Sequence, residues 1–119
     1  MRFIGLLLKE SLQDDSVLTM VRIVKIESWP IQEPADFQPD VWTAVFFEGD
    51  TSQADAFAQA LSSALKPRWY ADFSTETDRY IIFPGRIFTY PKGDAARRAE
   101  AQQYGLSLGI PARQLDWGE

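Results

Sequence analysis

The chain contains no cysteine and no histidine. The first absence excludes disulfides, thiolate metal sites, iron–sulfur clusters and thiol nucleophiles. The second removes the usual general base of a nucleophilic triad, the commonest metal ligand, and the side chain that ordinarily titrates near neutral pH. Any catalysis would have to rest on carboxylates, tyrosines, lysines or arginines. Long apolar runs are also missing. The stretch from Phe3 to Leu8 is six residues long before Lys9 and Glu10 interrupt it. A secretory signal needs about 7–15 apolar residues and a membrane helix about 18. Phosphate loops, dinucleotide fingerprints, serine elbows and zinc spacings do not occur. The expectation is a chain that works in the cytoplasm, off the membrane, with no cofactor, no metal and no catalytic residue to name.

What is present is one domain's worth of sequence, 119 residues, long enough to bury a core without a staple. The net charge of −5 disfavours duplex nucleic acid, whose binding is driven by phosphate neutralisation. Charge is unevenly spread. Residues 10–55 carry ten acids against Arg22 and Lys25, whereas residues 66–98 carry seven bases against four acids. That polarity suits head-to-tail self-association or a basic partner, as for an immunity-type protein blocking a basic toxin. A solvated surface with uneven charge is the plainer reading.

The apolar pattern gives the elements. Residues 1–9 fit either a strand or a short buried helix, and Gly5, costly inside a helix, favours the strand. The run from Val17 to Glu27 is rich in β-branched residues and also reads as a strand. Pro30 to Pro39 is a long proline-rich loop, a flap or an edge wrap. Val41 to Phe47 is a strand. A helix follows, capped by Thr51 or Ser52, with Ala54, Phe57, Ala58, Leu61 and Leu65 on one stripe and Pro67 beyond its end. A second helix runs from Asp94, its cap, to Gly109, its stop, and Leu115 and Trp117 anchor the tail.

Between the helices lies an aromatic block: Trp69, Tyr70, Phe73, Tyr80, Phe83, Phe88 and Tyr90 are seven of the chain's sixteen aromatic residues. It reads as strands 69–73, 79–83 and 86–90, with Pro84-Gly85 forming a bulge or bend within one long edge strand, because a Pro-Gly turn matches strand twist poorly in a tight hairpin. The whole predicts an α+β domain, residues 1–119: a two-layer sandwich of an antiparallel sheet with two helices on one face, the ferredoxin-like arrangement being one such form. The segments Trp69-Tyr-Ala-Asp-Phe73, Phe83-Pro-Gly85 and Gly109 to Trp117 carry a resemblance to a family of small uncharacterised bacterial proteins, spanning most of residues 41–117. That resemblance implies a bacterial source and one self-contained domain. It brings no activity and no site residues.

Strict alternation would place Trp69, Ala71, Phe73, Ile81, Phe83, Phe88 and Tyr90 under the helices. Tyr70, Asp72, Tyr80, Ile82, Ile87 and Thr89 would then share the second sheet face. Rings, aliphatics and hydroxyls are mixed there as in interfaces and ligand platforms, unless the N-terminal strands fold over it. The leading expectation is therefore a binding module that self-associates through the Tyr70/Tyr80/Ile82 face, with a protein or small-molecule ligand sharing it. Lys92, Arg97 and Arg98 flank a helix start and could hold an anion, although Asp94 already occupies that pole and ordinary capping explains them. Asp72, Glu76 and Asp78 surround one hairpin without the rhythm of a calcium loop. A carboxylate–tyrosine enzyme would need at least two of Tyr70, Asp72, Glu76, Asp78 and Tyr80 in an enclosed cleft.

Overall fold

The computed structural model describes residues 1–32, 34 and 38–117. Its strands are β1 (Arg2–Leu8), β2 (Arg22–Pro30), β3 (Val41–Asp50), β4 (Ala71–Ser74), β5 (Asp78–Phe83) and β6 (Arg86–Pro91), and its helices are α1 (Ala54–Ala64) and α2 (Ala95–Ser107). The strands form a sheet in the order β2-β3-β1-β4-β5-β6, and every neighbouring pair is antiparallel. The expected α+β class, antiparallel sheet and helical covering are all present.

Helix α1 covers one face. Asp50 accepts a hydrogen bond from the Ser52 amide at 2.9 Å and turns the chain into the helix, the role expected of Thr51 or Ser52. The predicted stripe of Ala54, Phe57, Ala58 and Leu61 is buried, with Leu65 just beyond the helix. It packs on Phe3, Leu7, Val45, Phe47, Ala71, Phe73, Tyr80 and Ile82. Rings dominate this core: Phe3 lies 4.8 Å from Phe73 and 5.5 Å from Phe57, and Phe73 stacks on Tyr80 at 4.6 Å. Aromatic pairs at such spacings add to the area they bury.

Helix α2 covers the other face, and only at the β4–β5–β6 end. Ile81, Phe83, Phe88 and Tyr90 pack with Ala101 and with Ile110, Leu115 and Trp117 of the tail. Asp94 caps α2 by accepting from the Arg97 amide at 3.1 Å, and Gly109 at φ 88° ends it, both as predicted. The two helices thus do not share a face. Over most of the sheet there are two layers, with a third, partial layer at one end. Strands β3 and β4 flank β1 and are joined through α1, a split β-α-β unit. The middle strand comes from the N-terminal end of the chain and α2 crosses to the opposite face, so the ferredoxin-like arrangement does not carry over.

The reason lies in one register. Ala71 pairs with Ile82, Asp72 with Ile81 and Phe73 with Tyr80. Directly paired residues point to the same side of a sheet. The hairpin therefore matches odd positions of β4 with even positions of β5, opposite to the expected grouping. Across the next hairpin the grouping holds, since Tyr80 pairs with Thr89 and Ile82 with Ile87. Pro84 and Gly85 make that hairpin's two-residue turn, with Gly85 at φ 75°, rather than a bend within one strand. Glycine supplies the left-handed conformation the reversal needs.

Two further elements depart from the sequence pattern. Residues 15–20 form a 3₁₀ segment, and β2 begins only at Arg22. The Asp14 carboxylate accepts from the Ser16 amide at 3.0 Å, and Val17, Leu18 and Val21 pack into the α1 core, so burial overrides β propensity there. The loop expected over residues 30–39 lies partly outside the described residues.

Candidate functional site: a tryptophan-lined groove

Where α2 and the tail end, the second sheet face drops to bare strand. The step between covered and open halves is a groove of about 320 Å³. Leu6 and Leu8 of β1 and Asp72 of β4 form its floor. Trp29 of β2, Trp42 of β3, Trp69 and Tyr70 ahead of β4, and Trp117 of the tail form its walls. These are all four tryptophans of the chain. The strand order assembles them, because β1 and β3 lie between β2 and β4.

The rings are fixed by their polar edges. The Trp42 indole donates to the Pro39 carbonyl at 3.1 Å, that of Trp29 to Glu27 at 3.0 Å, and that of Trp117 to the Tyr90 hydroxyl at 2.8 Å. Trp42 meets Trp69 edge-on at 5.7 Å, and Tyr70 meets Trp117 edge-on at 5.3 Å. The Tyr70 hydroxyl donates to the Gln114 carbonyl. Gln38 and Gln114 exchange two amide hydrogen bonds, at 2.9 and 2.8 Å, and so tie the β2–β3 loop to the tail. An aromatic site held this way offers apolar surface without ordering many side chains on binding.

Asp72 is the groove's carboxylate. Its Oδ2 accepts from Arg79 at 3.1 Å, and its side chain is 28% exposed. Burial pushes its pKa up to about 6, against the lowering by Arg79, and Asp116 adds a further upward push. Burial, reinforced by Asp72 and Asp116, also raises the Tyr70 phenol. A carboxyl poised near neutrality in a cleft lined by aromatic rings is the kind of group that senses or binds a ligand charge.

Of the face expected from the sequence, Tyr70 and Asp72 line this groove. Tyr80 and Ile82 are buried on the opposite side under α1, Ile87 packs against that core, and Thr89 is exposed. Tyr80 is committed there, its hydroxyl donating to Asp55 at 2.7 Å, and burial and Asp55 push its pKa up to about 12. The expected six-residue face is therefore two surfaces. Of the three basic residues expected at a possible anion site, Lys92 is exposed, Arg97 pairs with Glu100 at 3.5 Å, and Arg98 donates to the Trp117 carbonyl at 2.9 Å. The carboxylate–tyrosine set places Asp72 and Tyr70 in the groove, whereas Glu76 and Asp78 belong to the β4–β5 hairpin end. Among the described residues no group of three carboxylates could hold a metal ion, and no helix is long and apolar enough to cross a membrane.

The tryptophans were the missed residues. Each has a separate local explanation in the sequence, but the side chain combines a large apolar body with a polar edge and is seldom wholly buried. Four of them in a small domain were the available signal. No protein family, curated protein or solved structure matches this chain.

Proposed function

We propose that the protein is a binding module whose ligand seats in the tryptophan-lined groove. The observation that carries this reading is the convergence of Trp29, Trp42, Trp69 and Trp117 on one cleft from four distant parts of the sequence. Its ligand is a small molecule or peptide side chain with a flat or apolar body, which stacks on the rings, and a hydrogen-bonding head, which meets Asp72. The acid-rich stretch supports a toxin-neutralising role less well. Glu10 accepts from the Thr43 amide, Glu48 bridges Arg2 and Arg22, Asp14 and Asp50 accept from backbone amides two residues on, and Asp55 accepts from the Tyr80 hydroxyl. Chemistry on the ligand is supported less well too, since the Tyr70 hydroxyl is already donated within the fold.

The test is a screen of small aromatic, amine and sugar fragments read by tryptophan emission and repeated on Trp42→Ala. Binders whose response is lost in the variant support the groove. Binders whose response persists unchanged place the site elsewhere.

A further inference from the structure

Strand β2 ends the sheet, and among the described residues no backbone hydrogen bond reaches it from its outer side. It is also apolar for an edge. Val24 is 57% exposed and Ile26 59%, and Ile23 beside them is 42% exposed. An open, apolar edge is a template for another strand. Three features restrict what can add. A bulge at Val24 breaks the register with β3 between Ile23 and Lys25, Lys25 places a charge on the edge, and Pro30 closes its end without an amide. Only the short segment around Ile26 remains regular.

That segment reads Lys25-Ile26-Glu27, positive, apolar, negative. A two-fold antiparallel pairing of two copies must place one residue opposite itself. Centred on Lys25 or Glu27, it opposes like charges, which destabilises the pair. Centred on Ile26, it sets Ile26 against Ile26 and each Lys25 against the Glu27 of the other copy. Lys25 and Glu27 already lie 3.3 Å apart within one strand, so pairing would create a four-charge cluster on the sheet face opposite the Ile26 contact. We infer that the β2 edge joins two copies of this chain into one continuous sheet, with Ile26 on the two-fold axis. This surface adjoins the groove at Trp29, whose indole donates to Glu27, and it replaces the Tyr80/Ile82 face, which α1 buries.

The absence of cysteine makes the test direct. Paired residues in an antiparallel ladder have Cα atoms about 4.5–5.5 Å apart, within the span a disulfide bridges. In the proposed register the two Ser28 residues lie about 13 Å apart along the strands. Ile26→Cys and Ser28→Cys, both at exposed positions, are oxidised side by side, and the wild-type mass is measured by light scattering at tens of micromolar. The expected result is a dimer mass, with disulfide-linked dimer dominant for Ile26→Cys and at background for Ser28→Cys. A monomer mass with equal, weak cross-linking in both variants overturns the proposal. So does a dimer mass in which Ser28→Cys cross-links as well as Ile26→Cys.

Discussion

The indole of Trp117 donates to the Tyr90 hydroxyl across 2.8 Å, while the Trp117 carbonyl accepts from Arg98 at 2.9 Å. The tail is thereby fastened to β6 and α2 at once, and its ring becomes a groove wall. Trp117→Phe keeps most of the buried area and loses the hydrogen bond, at a cost of about 1 kcal/mol. Trp117→Ala removes the ring and should cost about 3–5 kcal/mol. Urea unfolding of both variants measures the difference. Equal small losses in the two would mean that the ring is not packed as described.

Asp72 gives stability a pH dependence of definite sign. Its pKa is raised from the ordinary 3.8 to about 6 by burial, so the folded state holds the proton more tightly than the unfolded state does. The associated stability is fully present below the ordinary value and is lost as pH rises through about 6. The rise corresponds to about 3 kcal/mol. Asp72→Asn cannot ionise. The stability advantage of wild type over this variant should therefore shrink by about 2–3 kcal/mol between about pH 4 and about pH 7. A difference that stays flat with pH would contradict the burial assigned to this carboxyl.

Gly5 sits in the central strand β1 where no side chain fits. A Cβ there would stand 2.6 Å from the Phe73 Cβ and 2.8 Å from the Asp72 carbonyl oxygen. Alanine is ordinarily the better strand residue. Here Gly5→Ala should instead destabilise by about 1–3 kcal/mol or more, through overpacking against backbone that cannot move aside. Thermal unfolding measures it, and an unchanged midpoint would mean that β1 and β4 are not so closely apposed.

Much of the fold follows from local pattern. The α1 stripe, the Asp94 and Gly109 boundaries of α2, and the Leu115 and Trp117 anchor are legible because each depends on nearby residues. The groove is not, because it depends on pairing. Whether Tyr70 and Asp72 face with Tyr80 or with Phe83 turns on the register of the β4–β5 hairpin, and one residue of slip exchanges the faces. Gathering Trp29, Trp42, Trp69 and Trp117 requires β1 and β3 to lie between β2 and β4, an order that hydrophobic periodicity does not carry. Val17 and Val21 misled for a related reason: their packing against α1 outweighs their preference for strand.

The groove assignment has its most direct check in the tryptophans themselves. In a uniformly nitrogen-15-labelled sample the four indole N–H groups give resolvable signals, assignable by substituting each tryptophan in turn. With any fragment that binds, the signals of Trp29, Trp42, Trp69 and Trp117 should shift together, and the Asp72 backbone signal should move with them. A binder that shifts amides of α1 or the β6 edge while leaving all four indole signals in place would contradict the groove as the binding site.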